Sequence, residues 1–123
     1  MRVLIVDDTS RARKSMKALL EVWHQSEEVR EAANGIEAVQ LVEEFQPDII
    51  LMDARMPSMS GLEATRKIKA KWPAIKIIIL SVFMDYQALA LEAGADAFIS
   101  KSDSPEKLRE ILKEIYAGLN WKE

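Results

Sequence analysis

The feature of this sequence that most constrains its fold is an alternation of short apolar runs with longer amphipathic segments. Five short segments are predicted as β-strands, at residues 2–6, 29–33, 48–52, 76–80 and 97–100. Between and after them, apolar residues recur at the three- and four-residue spacing of an α-helix. The chain is therefore predicted to form five strands that alternate with five helices.

Four of the predicted helices have a clear apolar stripe. The stripes consist of Met16, Leu19, Leu20 and Trp23; Ala38, Leu41, Val42 and Phe45; Leu62, Thr65 and Ile68; and Leu108, Ile111, Leu112 and Ile115. A weaker helix is expected over residues 86–93. Thr9 or Ser10 is expected to cap the first helix, and Ser104 the last, with Pro105 in the first-turn position that proline favours.

This alternation favours an α/β sandwich around a parallel sheet. Strands that are apolar throughout indicate burial on both faces, and right-handed crossovers then place helices on both sides of the sheet. The expected architecture is a (βα)5 three-layer sandwich, with residues 1–123 forming one domain.

Composition excludes several classes of function. The 17 Lys and Arg against 20 Asp and Glu give a formal charge of −3, so we expect no direct binding of nucleic acid. No apolar run approaches the roughly 20 residues that cross a bilayer, and the start does not resemble a signal peptide. Cysteine is absent, which favours a reducing environment. We therefore expect a cytoplasmic domain without a membrane partner.

Polar residues end four of the predicted strands: Asp7 and Asp8, Asp53, Ser81, and Ser100 with Lys101. In a parallel sheet these ends meet at one edge, where open α/β sheets bind ligands. Three neighbouring carboxylates repel one another unless a cation intervenes, and oxygen ligands suit Mg²⁺. A lysine and a serine hydroxyl suit a phosphoryl group, which Asp53 would carry as an acyl phosphate.

Four segments together resemble the response-regulator receiver domains of two-component signalling: LIVDD (4–8), DIILMDARMPSMSG (48–61), IIILS (77–81) and AFISK (97–101). The resemblance covers essentially the whole chain, and GADAFISKSDSPEKL is similar to receivers of the LuxR/NarL type. It implies a flavodoxin-like sheet with strand order 2-1-3-4-5. It also implies a signalling switch that catalyses only its own phosphorylation and dephosphorylation.

The resemblance assigns roles to individual residues. Asp53 matches the phospho-acceptor, and Lys101 matches the lysine that contacts the phosphoryl group. Asp7 and Asp8 match the acidic pair that holds Mg²⁺, with Asp53 and the backbone carbonyl of Arg55 as further ligands.

The switch pair of the family is also present, as Ser81 and Phe98. Ser102 follows Lys101 where the family usually has a proline in a cis peptide. A non-proline cis bond costs about 2.5–4 kcal/mol, so the sequence leaves the geometry of this peptide open. Val82 stands where a small residue is common, and we expect its branched side chain to restrict the attacking water.

The implied partner is a sensor histidine kinase or a phosphotransfer protein, with acetyl phosphate as a small alternative donor. Phosphorylation is expected to change conformation, to promote a homodimer, and to control a partner or an attached transcriptional effector.

Two other functions are compatible with parts of the pattern. A haloacid-dehalogenase-type phosphatase also uses an aspartate and Mg²⁺, but its Asp-x-Asp motif is absent because Ala54 and Arg55 follow Asp53. An interaction module with a degenerate site is disfavoured because every expected polar group is present.

Two surface features have simpler interpretations. The basic run of Arg11, Arg13, Lys14 and Lys17 is predicted to be a solvated helix face, and the family resemblance offers docking of an acidic partner as the alternative. His24 is predicted to be solvated at a helix end.

Overall fold

The computed structural model describes residues 1–23 and 28–121, so the prediction for His24 lies outside the described residues. Five strands form a parallel sheet: β1 (Arg2–Val6), β2 (Glu28–Ala32), β3 (Ile49–Asp53), β4 (Lys76–Ser81) and β5 (Ala97–Ser100). Their order is β2-β1-β3-β4-β5, which confirms the order that the resemblance implied.

Five helices connect and follow these strands: α1 (Ser10–Val22), α2 (Gly35–Phe45), α3 (Gly61–Lys71), α4 (Tyr86–Glu92) and α5 (Pro105–Trp121). α2, α3 and α4 pack on one face of the sheet, and α1 and α5 pack on the other. The three-layer sandwich is confirmed. None of the helices in the described part of the chain has the length and apolarity needed to cross a bilayer.

Two hydrophobic cores lie on the two faces of the sheet. Within β1, Leu4 and Val6 face α2, α3 and α4, whereas Val3 and Ile5 face α1 and α5. All four side chains are fully buried. Because successive residues of a strand point to opposite faces, burial on both faces requires the unbroken apolar runs seen in the sequence.

The edge strand β2 departs from this rule. Its Glu28, Arg30 and Glu31 are exposed, and only Ala32 is buried. The prediction of strands that are apolar throughout is therefore wrong for β2. An edge strand has one neighbour, and charged side chains on it discourage pairing with another chain.

Short polar side chains cap three of the helices in the loops that follow the strands. Thr9 caps α1 by accepting a hydrogen bond from the Ala12 N–H, and Asn34 and Ser60 do the same for α2 and α3. These caps satisfy backbone donors that would otherwise lack partners. They also fix the loops at the carboxyl edge of the sheet, where the polar residues of interest lie.

Candidate functional site

The carboxyl edge of the sheet gathers the polar residues predicted from the sequence. Asp53 and Ser81 are the last residues of β3 and β4, while Asp7 and Lys101 directly follow β1 and β5. β1 and β3 are neighbours at the point where the strand order reverses. Ligands of open α/β sheets bind in the crevice at this kind of position.

Three aspartates form an acidic cluster at this crevice. One carboxylate oxygen from each of Asp7, Asp8 and Asp53 lies within 4.8 Å of the other two. Asp7 is buried and Asp8 is exposed, so the cluster is open to solvent on one side. Three hard oxygen donors at this spacing fit a divalent cation such as Mg²⁺.

Asp7 is held by hydrogen bonds to both of its carboxylate oxygens. Oδ1 accepts from the Thr9 N–H at 3.0 Å and from the Thr9 hydroxyl at 3.2 Å. Oδ2 accepts from Lys101 Nζ at 2.8 Å. The same Nζ lies 3.5 Å from Asp53 Oδ2, so the ammonium group links two carboxylates and is nearer to Asp7. These contacts compensate for the burial of the Asp7 charge.

The electrostatics of the cluster shift two pKa values. Burial raises the pKa of Asp53, and the charges of Asp7 and Asp8 add to that rise, whereas Lys101 and the Arg55 N–H oppose it. Burial would lower the pKa of Lys101, but its contacts with Asp7 and Asp53 raise it above the ordinary value. Lys101 therefore stays protonated, and the negative charges together exceed what one lysine neutralises.

The side chain of Asp53 opens onto a pocket of about 220 Å³. Its lining consists of Asp53, Arg55, Ser81, Val82, Phe83 and Lys101. The Ser81 hydroxyl is buried and accepts from the Phe83 N–H at 3.0 Å. The Arg55 guanidinium lies 5.3 Å from the centre of the Phe83 ring, which is a cation–π geometry. Arg55 and Phe83 thus meet at the mouth of this pocket.

The loop after Asp53 folds back on its own strand. The Gly61 N–H donates to the Ala54 carbonyl at 3.0 Å. A Cβ at Gly61 would lie 1.9 Å from the backbone oxygen of Asp53, so only glycine fits at this close approach. The path of this loop determines where the backbone of Arg55 lies.

In the loop after β5, the peptide bond between Lys101 and Ser102, whose geometry the sequence left open, is trans. The Lys101 N–H donates to the Ser81 carbonyl at 2.8 Å, which continues the pairing of β4 with β5. The hydroxyls of Ser100 and Ser102 are 2.7 Å apart, and Asp103 accepts from the Ser100 N–H at 3.1 Å. Side-chain hydrogen bonds therefore hold this loop and aim Lys101 at the acidic cluster.

Phe98 lies outside the pocket lining, although the sequence pairs it with Ser81. It is half-buried on β5 and, like Tyr86, packs against the core beneath α2, α3 and α4.

One prediction for the basic run of α1 is wrong. Arg13 is not a solvated residue, because its side chain is 19% exposed and ion-paired with Glu31 at 2.9 Å. Its Nη1 also donates to the Asp7 carbonyl at 2.7 Å. The contact of Thr9 with the Asp7 carboxylate was likewise not predicted. The Asp-x-Thr spacing was a usable signal, since an aspartate often accepts from the backbone two residues later.

A doubly wound α/β sheet with clustered aspartates and a lysine at its carboxyl edge is typical of one class of signalling domain. The chain belongs to the response regulator receiver domain family, whose sequence model matches residues 3–113. It is a receiver domain of two-component signalling, a switch and not a classical enzyme. This membership favours the receiver over the phosphatase interpretation.

Individual relatives support the LuxR/NarL-type resemblance. The transcriptional regulatory protein DegU of Brevibacillus brevis is 34% identical over 120 residues, which cover 96% of this chain and 51% of DegU. The structure of a DNA-binding response regulator of the LuxR family from Staphylococcus aureus has a TM-score of 0.85 at 31% identity, covering 93% of this chain and 97% of that one. The chain spans about half the length of the curated relatives it matches.

A third relative bears on the acidic cluster. The receiver domain of the sensor histidine kinase PA1611 from Pseudomonas aeruginosa PAO1 was solved with a magnesium ion coordinated in its active site cleft. It has a TM-score of 0.80 at 30% identity and covers 92% of this chain and 94% of that one.

Proposed function

We propose that this domain accepts a phosphoryl group on Asp53 in a Mg²⁺-dependent reaction. The observation that carries the proposal is the position of Lys101 Nζ, 2.8 Å from Asp7 and 3.5 Å from Asp53 within the acidic cluster. A structural ion pair needs one carboxylate, whereas this lysine meets two at the opening of a pocket. The surplus of negative charge favours a divalent cation beside it.

The donor is a phosphohistidine on a sensor histidine kinase or a phosphotransfer protein, or a small acyl phosphate such as acetyl phosphate. A carboxylate oxygen of Asp53 forms a bond to phosphorus as the bond from phosphorus to the histidine nitrogen breaks. The departing imidazole keeps that electron pair and takes a proton from solvent. Phosphoryl transfer depends mainly on positioning and on neutralising charge, which the fixed strand ends provide here.

The remaining residues of the site have supporting roles. Asp7, Asp8, Asp53 and the Arg55 carbonyl would hold the metal. When bound, Mg²⁺ supplies positive charge that offsets the phosphoryl oxygens. Lys101 pairs with one phosphoryl oxygen by a charge-assisted hydrogen bond.

The switch uses the hydroxyl of Ser81. It now accepts from the Phe83 N–H at 3.0 Å, which leaves its O–H to donate to the phosphoryl group as the hydroxyl moves toward it. Phe98 turns inward as this happens, which changes the surface near α4, β5 and α5. The output is a homodimer, or altered contact with a partner or an attached transcriptional effector. The setting is the cytoplasm.

The decisive experiment measures phosphorylation directly. Incubation of the domain with Mg²⁺ and acetyl phosphate should add one phosphoryl group, detected by intact-protein mass spectrometry, and Asp53→Asn should prevent it. Asp85→Asn is the matched control, because Asp85 is exposed and its side chain makes no capping hydrogen bond at α4. Labelling that persists in Asp53→Asn, or that Asp85→Asn also abolishes, would refute Asp53 as the acceptor.

A further inference from the structure

Arg13 of α1 contacts the peptide group that joins Asp7 to Asp8, two aspartates of the acidic cluster. Its Nη1 donates to the carbonyl oxygen of Asp7 at 2.7 Å, and its Nε donates to Glu31 Oε1 at 2.9 Å. The Asp7 carbonyl belongs to the peptide that connects Asp7 to Asp8. A hydrogen bond to this oxygen therefore fixes the plane of that peptide.

Arg13 is itself anchored on two elements. Its backbone N–H donates to the carbonyl of Thr9, the N-cap of α1, at 3.2 Å, and Glu31 of β2 holds its guanidinium group. On the other side of Asp7, its N–H donates to the Ala32 carbonyl of β2 at 3.1 Å. The N–H of Asp7 is thus held by β2, and its carbonyl is held by Arg13.

We propose that Arg13 is a positioning residue for the metal site. By fixing the Asp7–Asp8 peptide, it sets the direction in which the exposed Asp8 carboxylate leaves the chain, and so keeps it near Asp7 and Asp53. Arg13 does not ligate the metal and acts only through the backbone. The proposal rests on the Mg²⁺ site of the proposed function.

Two effects of Arg13 on cation binding have opposite signs. Its positive charge near the cluster disfavours a second cation, whereas its hold on the peptide pre-organises two ligands. Glu31 lies in direct contact with the guanidinium and offsets much of its charge. The pre-organising effect therefore dominates, and loss of Arg13 weakens Mg²⁺ binding. If Arg13 acted only through its charge, its loss would strengthen Mg²⁺ binding.

The test is a titration of the domain with Mg²⁺ alone, without a phospho-donor, followed by calorimetry or by amide chemical shifts. Arg13→Gln should raise the Kd for Mg²⁺ by about 10-fold or more, the usual effect of losing a group that orients a metal ligand. Arg13→Lys, which reaches either the carbonyl or Glu31 but not both, should recover part of the affinity. Glu31→Gln should also raise the Kd for Mg²⁺, because it loosens the contact that holds the Arg13 guanidinium group.

Arg11→Gln is the matched control, since it removes the same charge from the same turn of α1 at an exposed position. Its Kd should stay at the wild-type value or fall slightly. A Kd for Arg13→Gln that equals or lies below that of Arg11→Gln would overturn the proposal. Absence of Mg²⁺ binding by the wild-type domain would instead overturn this proposal and the metal site together.

Thermal unfolding in Mg²⁺-free buffer distinguishes the proposed positioning role of Arg13 from a role in folding alone. If Arg13 only stabilised the fold, its variants would lower the Tm while the folded molecules kept the wild-type Kd, and that result would refute the proposal. Should Arg13→Gln fail to fold, Arg13→Lys and Glu31→Gln decide the matter, and unchanged affinity in both would refute it as well.

Discussion

At the scale of single residues, Asp53 is in an environment that disfavours its charge. Its side chain is 13% exposed, and the charges of Asp7 and Asp8 reinforce the effect of burial in raising its pKa. Lys101 attracts the Asp53 carboxylate, but its ammonium group lies nearer to Asp7 and is shared between the two. Asp53 therefore carries a charge that is unfavourable for folding and, in the proposed function, useful for chemistry.

This predicts that Asp53→Asn stabilises the domain in Mg²⁺-free buffer at neutral pH. Because the folded-state pKa of Asp53 is raised, its charged form opposes folding at neutral pH. The opposition fades as pH falls through that pKa to below the ordinary value. Thermal unfolding should show a Tm a few degrees higher for Asp53→Asn at pH 7, with the difference shrinking in acid. A lower Tm at pH 7 would mean that attraction to Lys101 outweighs burial and repulsion.

Val82 supports a prediction about the lifetime of the phosphorylated state. It lines the pocket beside Asp53 and is 59% exposed, and we expect its side chain to restrict the water that would attack a phosphorylated Asp53. Val82→Ala should shorten the dephosphorylation half-life by a factor of about 2 to 10, or roughly 0.4–1.4 kcal/mol of barrier. The half-life is measured by loss of the phosphorylated mass after donor removal. Val22→Ala, at another exposed valine, should leave it unchanged, and no change in Val82→Ala would refute the idea.

The residues of the site were predictable to the extent that they end strands. Asp7, Asp53 and Lys101 follow apolar runs, and a parallel sheet brings such positions together without further information. The contact of Arg13 with the Asp7 carbonyl was not predictable. Every residue carries a backbone carbonyl, so an arginine that binds one has no sequence signature distinguishing it from surface neighbours such as Arg11.

At the scale of elements, the loop between β3 and α3 depends on a close backbone approach at Gly61. Gly61→Ala should destabilise the domain by about 1–3 kcal/mol, because its Cβ would overlap the Asp53 carbonyl oxygen and the backbone must shift. Urea unfolding measures the loss. Gly118→Ala in α5 is the control, since its Cβ would meet nothing within 4 Å, and it should gain up to about 1 kcal/mol. Equal stability of the two variants would contradict this account.

The strands were predicted in number and type, and their bounds differ by about one residue. β2 was predicted at residues 29–33 and lies at Glu28–Ala32, because its exposed charges conceal the apolar signal. β3 was predicted to begin at Asp48, but that carboxylate accepts from the Arg2 N–H at 2.8 Å outside the strand. Boundaries of this kind depend on contacts with distant residues, which local patterns do not contain.

At the scale of the whole molecule, the acidic cluster links metal binding to folding stability. Mg²⁺ at 100 times its Kd should stabilise the folded state by about 2.7 kcal/mol, because the unfolded chain does not assemble the three carboxylates. The measurement is the Tm with Mg²⁺ and after chelation by EDTA, which should reverse the rise. Asp8→Asn should abolish most of the effect, and an undiminished rise in that variant would place the ion elsewhere.

The strand order was a different kind of prediction from the strands themselves. Periodicity along the chain gives the elements, but the order β2-β1-β3-β4-β5 depends on which side of β1 each crossover takes. That information came from the resemblance of four segments to a family, and no single segment contained it.

The pairing of Lys101 with Asp7 joins positions that are 94 residues apart. A chain that has been synthesised only as far as β4 already contains Asp53 but lacks Lys101, the residue that pairs with the phosphoryl group in the proposed function. On that proposal, competence to accept the group would arise only when β5 docks beside β4.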